Sequence, residues 1–540
     1  MDVCSDCWLD SWRAGRHEYS TMNRQEFSPA RLVVVHYHLR PGGVRRVIEL
    51  TLPGIVAAMP SIKRVTLMVG ESGDAKWIDD LRANLPNVEF DVQVHACVGY
   101  FSEIGMDAAS ITAALRVACR NVIQPNTETV MWAHNLGLAR NLLLARELAR
   151  VAARPNVRLV SHHHDFWFEN RWNRWAEFAA CGAKSLGTVA DDIFSAGACA
   201  AYATINRRDQ RDLAMVKLLP ARWLPNPMTV DRRIASDEMH SASHWLRSEL
   251  GDDKAVWVFP SRFLRRKNLT EAMLLMRWIC PDGWLITTAG PSSADETPGY
   301  QMISAFAAQH GFRVRFGLLA DAGRDAPSID SLIAACDGVI VTSIQEGFGL
   351  PYLEAALAGK PLIARRLPNV FPDLKHLGHS ISNGYREVWV HPGLIDIERE
   401  KARQRADWKR RLSGMPAAAR NLAGTPWING WTAGKPLAFS RLTLAGQLEV
   451  LSGDPADSWR LSRRWNPSLR KIHSQMESHQ LAPDPVSPTL AHRLSPQKYA
   501  DAFWRLTQSC APVSSCDARC TQRAMLSDRL ADEYLYPVLW

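Results

Sequence analysis

Two carboxylates, Glu346 and Glu354, with seven residues between them, flank a glycine-rich stretch in Ser343-Ile-Gln-Glu-Gly-Phe-Gly-Leu-Pro-Tyr-Leu-Glu354. A buried strand is expected to end near Thr342 and a helix to start at Pro351. Proline is favoured at the first helical position, where no N–H is needed. Gly347 and Gly349 lie between, and let backbone approach a ligand closely. The unpaired N–H groups of such a helix start form an anion site suited to a diphosphate. A phosphate alone disfavours carboxylates, so Glu346 and Glu354 read as acceptors of hydrogen bonds from sugar hydroxyls. The competing reading has Glu354 complementing the helix dipole and Glu346 in solvent. A second segment, Phe259-Pro-Ser-Arg-Phe-Leu-Arg-Arg-Lys-Asn-Leu-Thr-Glu271, carries Arg262 and Lys267. Asn268 with Glu271 three residues on has the form of a capping box, which starts a helix at Leu269. Two cations in a strand-to-helix loop supply the charge that a diphosphate leaving group requires.

The elements that must hold these loops alternate twice along the chain. Strand patterns fall at Arg31–His36, Arg64–Val69, Val88–His95, Thr129–His134, Val157–His162 and Ala201–Ile205, with helical stretches between most of them. Around Trp223-Leu-Pro-Asn-Pro227 and a polar stretch through Ser243 the pattern breaks, as in an interdomain linker. A second series follows at Ala255–Phe259, Trp284–Thr288, Phe312–Phe316, Gly338–Val341 and Pro361–Ala364. Repeated βαβ units make a parallel sheet covered on both faces, so the expected fold is α/β with two Rossmann-like doubly wound domains. Ligands of such sheets bind at the carboxyl ends of the strands. The expected divisions are an N-terminal extension (1–29), a first domain (30–226), a linker (227–250), a second domain (251–490) and a C-terminal helix with its tail (491–540).

Between about 386 and 487 the alternation is lost, and the sequence becomes rich in Trp, Arg, Pro and Gly. This stretch is expected as an insertion on the second domain's side. Its Trp427 and Trp431 flank Gly430, and either stack on acceptor sugar rings or anchor the insertion to the domain surface. Leu494-Ser-Pro-Gln-Lys-Tyr-Ala-Asp-Ala-Phe-Trp504 reads as a helix with Ser495 as N-cap and Pro496 in its first position.

Length and composition narrow the class. At 540 residues the chain exceeds what one core supports. Its apolar stretches fall short of the roughly 20 residues that span a bilayer. The N-terminus has no basic region followed by an apolar run, so a cytoplasmic protein is expected. A net charge of +9 suits an anionic ligand, an anionic membrane face or nucleic acid. The aromatics are spread through the chain instead of interleaved with a basic stripe, which speaks against nucleic acid. Eleven cysteines fit buried reduced thiols; the pairs Cys4/Cys7 and Cys516/Cys520 are too far apart in sequence for a zinc site to be expected.

Together, Arg262…Lys267 and Glu346-Gly-Phe-Gly-Leu-Pro-Tyr-Leu-Glu354 resemble the Arg-x4-Lys and E-G-F-G-L-P-x-x-E motifs of the retaining GT-B glycosyltransferases of family four (group 1). His36-Tyr-His-Leu-Arg-Pro-Gly-Gly-Val44 resembles that family's glycine-rich loop beneath the donor phosphates, and Arg158-Leu-Val-Ser-His-His-His-Asp-Phe-Trp167 its strand ending in a sugar-facing His. The resemblance covers about 30–380 and 490–508, and fails at Arg365–Asp373, where the family has Gly-Gly-x-Pro-Glu. It implies two domains facing across a cleft, and transfer of a hexose from a nucleotide-diphospho-sugar to an acceptor hydroxyl. By it, Arg262 and Lys267 bind diphosphate, Glu354 holds the ribose and Glu346 the sugar hydroxyls. The amides of Gly347, Phe348, Gly349 and Leu350 face phosphate and sugar, with Gly42 and Gly43 beneath. His164 faces the sugar, with His163 second and His162 not excluded. Expected partners are the donor and a saccharide, glycolipid or small-molecule acceptor, without nucleic acid; peripheral contact with the inner membrane face suits the charge. No cofactor and no metal are expected, because Arg and Lys replace a divalent cation. Consecutive histidines on a strand alternate faces, and no further ligand is evident.

Overall fold

The structure, a computed structural model, describes residues 27–531 other than 171–173, 216–218, 230–233, 292–295, 321–322 and 324–325. Most of the expected N-terminal extension, with Cys4 and Cys7, therefore lies outside the described residues. The first domain is built on strands β1 (Arg31–His36), β2 (Arg64–Val69), β3 (Glu89–Val94), β4 (Thr129–His134), β5 (Val157–His163), β6 (Cys199–Thr204) and β7 (Ala221–Trp223). The second uses β8 (Val256–Phe259), β9 (Trp284–Thr287), β10 (Val314–Arg315), β11 (Gly338–Val341), β12 (Leu362–Arg365) and β13 (Gly384–Tyr385). Both sheets carry the parallel order 3-2-1-4-5-6, as β3-β2-β1-β4-β5-β6 and β10-β9-β8-β11-β12-β13. Every residue of β1 and β11 is buried, which is why these strands are unbroken apolar runs and do not alternate. The strand order reverses between β1 and β4 and again between β8 and β11, so a crevice opens at the carboxyl end of each pair.

The helices show where local chemistry departs from sequence pattern. Helix α1 (Gly43–Ala58) buries Val47, Ile48, Leu52 and Ile55, a stripe at helical spacing. Helix α2 (Ser236–Leu250) occupies much of the segment read as a linker, and its Leu246 joins the second domain's core. The polar stretch there is the wet face of a packed helix. Helix α3 (Leu269–Ile279) starts where expected, but without a capping box. Asn268 sits in the left-handed region at φ 56°, and its amide donates to Glu271 Oε2 at 2.8 Å. Glu271 is also drawn inward by Arg365 and by the Tyr385 hydroxyl at 2.6 Å, and the Asn268 backbone N–H that a capping box would offer it donates instead to Arg265 O at 3.0 Å. Helix α4 (Leu350–Leu357) begins one residue before Pro351, behind Gly349 at φ 89°, a conformation that favours glycine.

The insertion straddles the molecule. Helix α5 (Ile397–Ser413) is followed by β15 (Leu437–Ala438), which pairs antiparallel with β14 (Trp389–Val390). Helices α6 (Leu444–Ser452), α7 (Pro455–Ser462) and α8 (Pro467–Glu477) then pack on α3. Thr270 Oγ1 donates to Gln447 Oε1 at 2.7 Å, and Trp278 Nε1 to Ser458 Oγ at 2.8 Å. These contacts lie on the second domain. Yet Trp408 of α5, with Met415 and Ala419, lies in the same apolar cluster as Trp167 and Phe178 of the first domain. Trp427 and Trp431 are anchors: both pack on the second domain's core, Arg441 lies 5.4 Å above the Trp427 ring, and Trp431 Nε1 donates to Lys435 O at 3.0 Å.

The chain then returns. Helix α9 (Pro496–Gln508) is capped by Ser495, whose Oγ accepts from Lys498 N at 3.3 Å. It packs on α1 and sends Tyr499, Ala500, Phe503 and Leu506 into the first domain's core. Helix α10 (Ser515–Ala531) follows, with Cys516 and Cys520 exposed on it. No helix among the described residues is long and apolar enough to cross a membrane.

Because Trp408 is held in the first domain's core by a segment anchored on the second, Trp408→Ala should cost about 3–5 kcal/mol in denaturant unfolding. A loss below about 1 kcal/mol would show that α5 does not tie the domains together.

Candidate functional site

Two loops of the second domain, after β8 and after β11, are stitched edge to edge. Thr342 Oγ1 donates to the carbonyls of Lys267 and Asn268 at 3.1 and 2.9 Å, and Ile344 N donates to Arg266 O at 2.8 Å. At their junction Lys267 Nζ donates to Glu346 Oε1 at 2.5 Å, joined by Ser343 Oγ at 2.6 Å. Arg266 adds a contact of 3.6 Å to Oε2, and Asn369 Nδ2 fixes the Glu346 carbonyl at 2.7 Å. Burial opposes charge on Glu346, but Lys267 and Arg266 outweigh it and hold the carboxyl below its usual range. Burial pulls the Lys267 ammonium down, against the attraction of Glu346. Arg262 lies at the exposed start of the same loop.

Glu346 is thus enclosed, with Lys267 as its partner, and is not the solvated loop residue of the competing reading. Glu354 stands on α4, its carboxyl raised by burial and faced across the cleft by Arg46 of α1 at 3.9 Å. The amides of Phe348, Gly349 and Leu350 lie at the start of α4. Gly42, at the N-cap of α1, and Gly43, its first residue, are exposed, and a Cβ on either would meet nothing closer than 3.9 Å. Gly347 is different. A Cβ there would lie 2.6 Å from Ile205 Cδ1 and 3.1 Å from the His164 carbonyl, so this glycine lets the two domains touch.

The three consecutive histidines divide by face. His163 points to one side: its Nδ1 accepts from Gly137 N at 3.1 Å, and its ring stacks on Tyr202 at 5.8 Å. His162 and His164 point to the other, with ring centroids 4.4 Å apart. His134, at the end of β4, joins them, its Nδ1 lying 3.3 Å from His164 Nε2. The expectation that no further imidazole accompanies the trio is therefore corrected, because the in-register neighbour of His162 on β4 is His134. Alternation separates His163 from the group but keeps His162 and His164 together. Among the described residues, His134, His162 and His164 bring one possible ligand atom each to within 4.8 Å of one another.

His164 and Glu346 both line an interdomain cavity of about 40 Å³, together with Asp165, Glu169, Arg208 and Asn369. That volume is on the scale of a few waters. Arg529 of α10, 1% exposed, closes one wall, donating to Asp209 Oδ1 at 2.5 Å and lying 3.5 Å from Glu169. Burial, reinforced by Asp209, pushes the Glu169 carboxyl up to about 8. Arg207 N donates to Asp373 Oδ2 at 2.8 Å, a second domain-to-domain contact. Sequence reasoning missed Arg266, Arg46, His134, Asn369 and the Arg529 cluster. Arg266 adjoins Lys267 and was within reach of the motif; the others depend on tertiary contacts with no fixed spacing.

Residues 246–385 match the family described as glycosyl transferases group 1. Over 401 residues the chain is 24% identical to a mannosylglucosyl-3-phosphoglycerate synthase of Petrotoga mobilis, covering 72% of this chain and 74% of the relative. A mannosylglucosylglycerate synthase of the same organism is 21% identical over 277 residues, covering 47% of this chain and 63% of the relative. Among solved structures, the N-terminal domain of a Candida albicans trehalose-6-phosphate phosphatase aligns over 92% of this chain and 99% of its own length, with a TM-score of 0.50 and 12% identity.

The buried histidines set a pH response. Burial, with His164 nearby, depresses His163 to about 3, so the folded protein cannot take up a proton there that the unfolded chain accepts near pH 6.5. Stability is therefore full above pH 6.5 and lost as pH falls towards 3. His163→Phe should flatten the slope of unfolding free energy against pH by about 1.4 kcal/mol per unit within that window, whatever it costs at neutrality. Parallel slopes for the two proteins would contradict this.

Proposed function

We propose that this chain, a GT-B glycosyltransferase of the group 1 type, moves a hexose from a nucleotide-diphospho-sugar to an acceptor hydroxyl with retention of configuration. One observation carries the reading: Arg266 and Lys267 hold Glu346, four residues ahead of the amino end of α4, at the β8/β11 switch point, and α4 carries Glu354. Cations and free amides suit a diphosphate, and the carboxylate beside them suits ribose hydroxyls. In the transfer, the bond from the anomeric carbon to the diphosphate breaks as the bond to the acceptor oxygen forms on the same face. The departing phosphate takes the acceptor's proton. Arg262, Arg266, Lys267 and the helix amides stabilise the charge that develops on it, in place of a divalent ion. Glu346, tied to Lys267, positions sugar hydroxyls and is no general base. The names of the two Petrotoga mobilis relatives favour a small acceptor of the sugar–glycerate kind over a glycolipid.

The 40 Å³ cavity and the contact of Gly347 with Ile205 and His164 require the domains to part before a sugar enters. Incubation with UDP-, GDP- and ADP-sugars, reading nucleoside diphosphate release with and without small saccharide or glycerate acceptors, tests the activity. Acceptor-dependent release from one donor is expected; release from none would overturn the reading.

Glu354→Ala should raise the donor KM by about 10- to 100-fold, the loss of hydrogen bonds to a charged group, with stability changed by less than about 1 kcal/mol. An unchanged donor affinity in a folded variant would remove Glu354 from the donor site.

A further inference from the structure

Beneath the cleft, the carboxyl ends of β1, β4 and β5 bring four histidines onto one face of the first sheet. His36, His134 and His162 are at most 5% exposed and His164 8%. Such a group is costly as it stands. His134 Nε2, His162 Nε2 and His36 Nδ1 are buried with no hydrogen-bond partner among the described residues, which costs stability. Burial and mutual proximity keep these rings neutral: His164 is lowered to about 4, and His134 and His162 well below the usual imidazole range. Neutral imidazoles crowded together with unused lone pairs are poor neighbours for one another, but they are the form in which histidine binds metals.

We propose that His134, His162 and His164 form a binding site for a first-row divalent transition metal such as Zn²⁺. Three features support it. Their ligand atoms lie within 4.8 Å of one another, so small side-chain rotations close the set. His134 Nδ1 and His164 Nε2 are 3.3 Å apart, about the separation of two nitrogens bound to one tetrahedral ion at 2.0–2.1 Å. His162 is braced at its Nδ1 by the Tyr499 hydroxyl at 3.1 Å, and its buried Nε2 has no partner among the described residues. A metal-ligating imidazole is ordinarily braced through its second nitrogen in this way. All-nitrogen donors select zinc, copper, nickel or iron over magnesium or calcium. Three protein ligands leave a further position for water or a substrate oxygen. Because Tyr499 belongs to α9, the site also couples the returning C-terminal helix to the first domain.

The test is metal binding by the full chain, read without reference to transfer. Protein stripped with chelator is titrated with Zn²⁺ by calorimetry and with Co²⁺ by visible absorption. One equivalent of metal should bind, with a Co²⁺ spectrum of nitrogen ligation that lacks thiolate charge transfer. His134→Ala and His162→Ala should abolish binding, Tyr499→Phe should weaken it about tenfold, and His163→Ala should retain it. Cys516→Ser/Cys520→Ser should bind as the parent does. The spectrum of the parent protein decides the case even where a histidine variant does not fold. No binding by the parent, a thiolate spectrum, or binding that survives in folded His134→Ala and vanishes with the two cysteines would overturn the proposal.

Discussion

The ion pair of Lys267 with Glu346 is the contact on which the rest of the site depends. It closes the two loops at the β8/β11 switch point, and it does so out of water, with both side chains about a tenth exposed. A buried pair is poor evidence for stability, since desolvating two charges offsets most of their attraction. Its value here is geometric. With Ser343 on the same carboxylate and Thr342 on two carbonyls of the neighbouring loop, it fixes where the amino end of α4 points relative to Arg266. On these loops and α4, Arg262, Arg266 and Lys267 outnumber Glu346 and Glu354, which suits the anionic leaving group of the proposed transfer.

The same constraint shapes the whole molecule. Gly347 follows Glu346 directly, and its missing side chain admits Ile205 and the His164 carbonyl. Above this closed seam the insertion packs on α3 through α6, α7 and α8, while Trp408 of α5 is buried with the first domain. Below it α9 crosses back to α1, and Arg529 of α10 is buried against Asp209. The domains therefore meet at the Gly347 seam, at Arg207–Asp373, at Arg46–Glu354 and through α5, and on the proposed function donor entry is an opening step that relaxes these contacts. Carbohydrate transfer benefits from such closure, which excludes the competing nucleophile, water.

Much of this was legible in the sequence, for physical reasons. Fully buried parallel strands leave unbroken apolar runs, so β1, β2, β4 and β11 are found at the residues where they were expected. Helix starts with a side-chain cap, such as Ser495-Pro496, are likewise local. Failures came where a distant partner overrode a local rule. Glu271 follows Asn268 at capping-box spacing but is claimed by Arg365 and Tyr385, residues of β12 and β13. Gly347 reads as a ligand-approach glycine and proves to be a domain contact. The segment 227–250 reads as a tether because the polar face of α2 dominates its composition. His134 carries no signal in sequence, because register across two strands, not spacing along one, brings it to His162.

A crystal structure with a nucleoside diphosphate bound tests the central claim most directly. The account predicts diphosphate oxygens within hydrogen-bonding distance of Arg266 or Lys267 and of the amides at the start of α4. It places the ribose hydroxyls on Glu354, with Gly347 withdrawn from Ile205 and the His164 carbonyl. A nucleotide seated away from the β8/β11 switch point, with the Gly347 seam still closed, would contradict it.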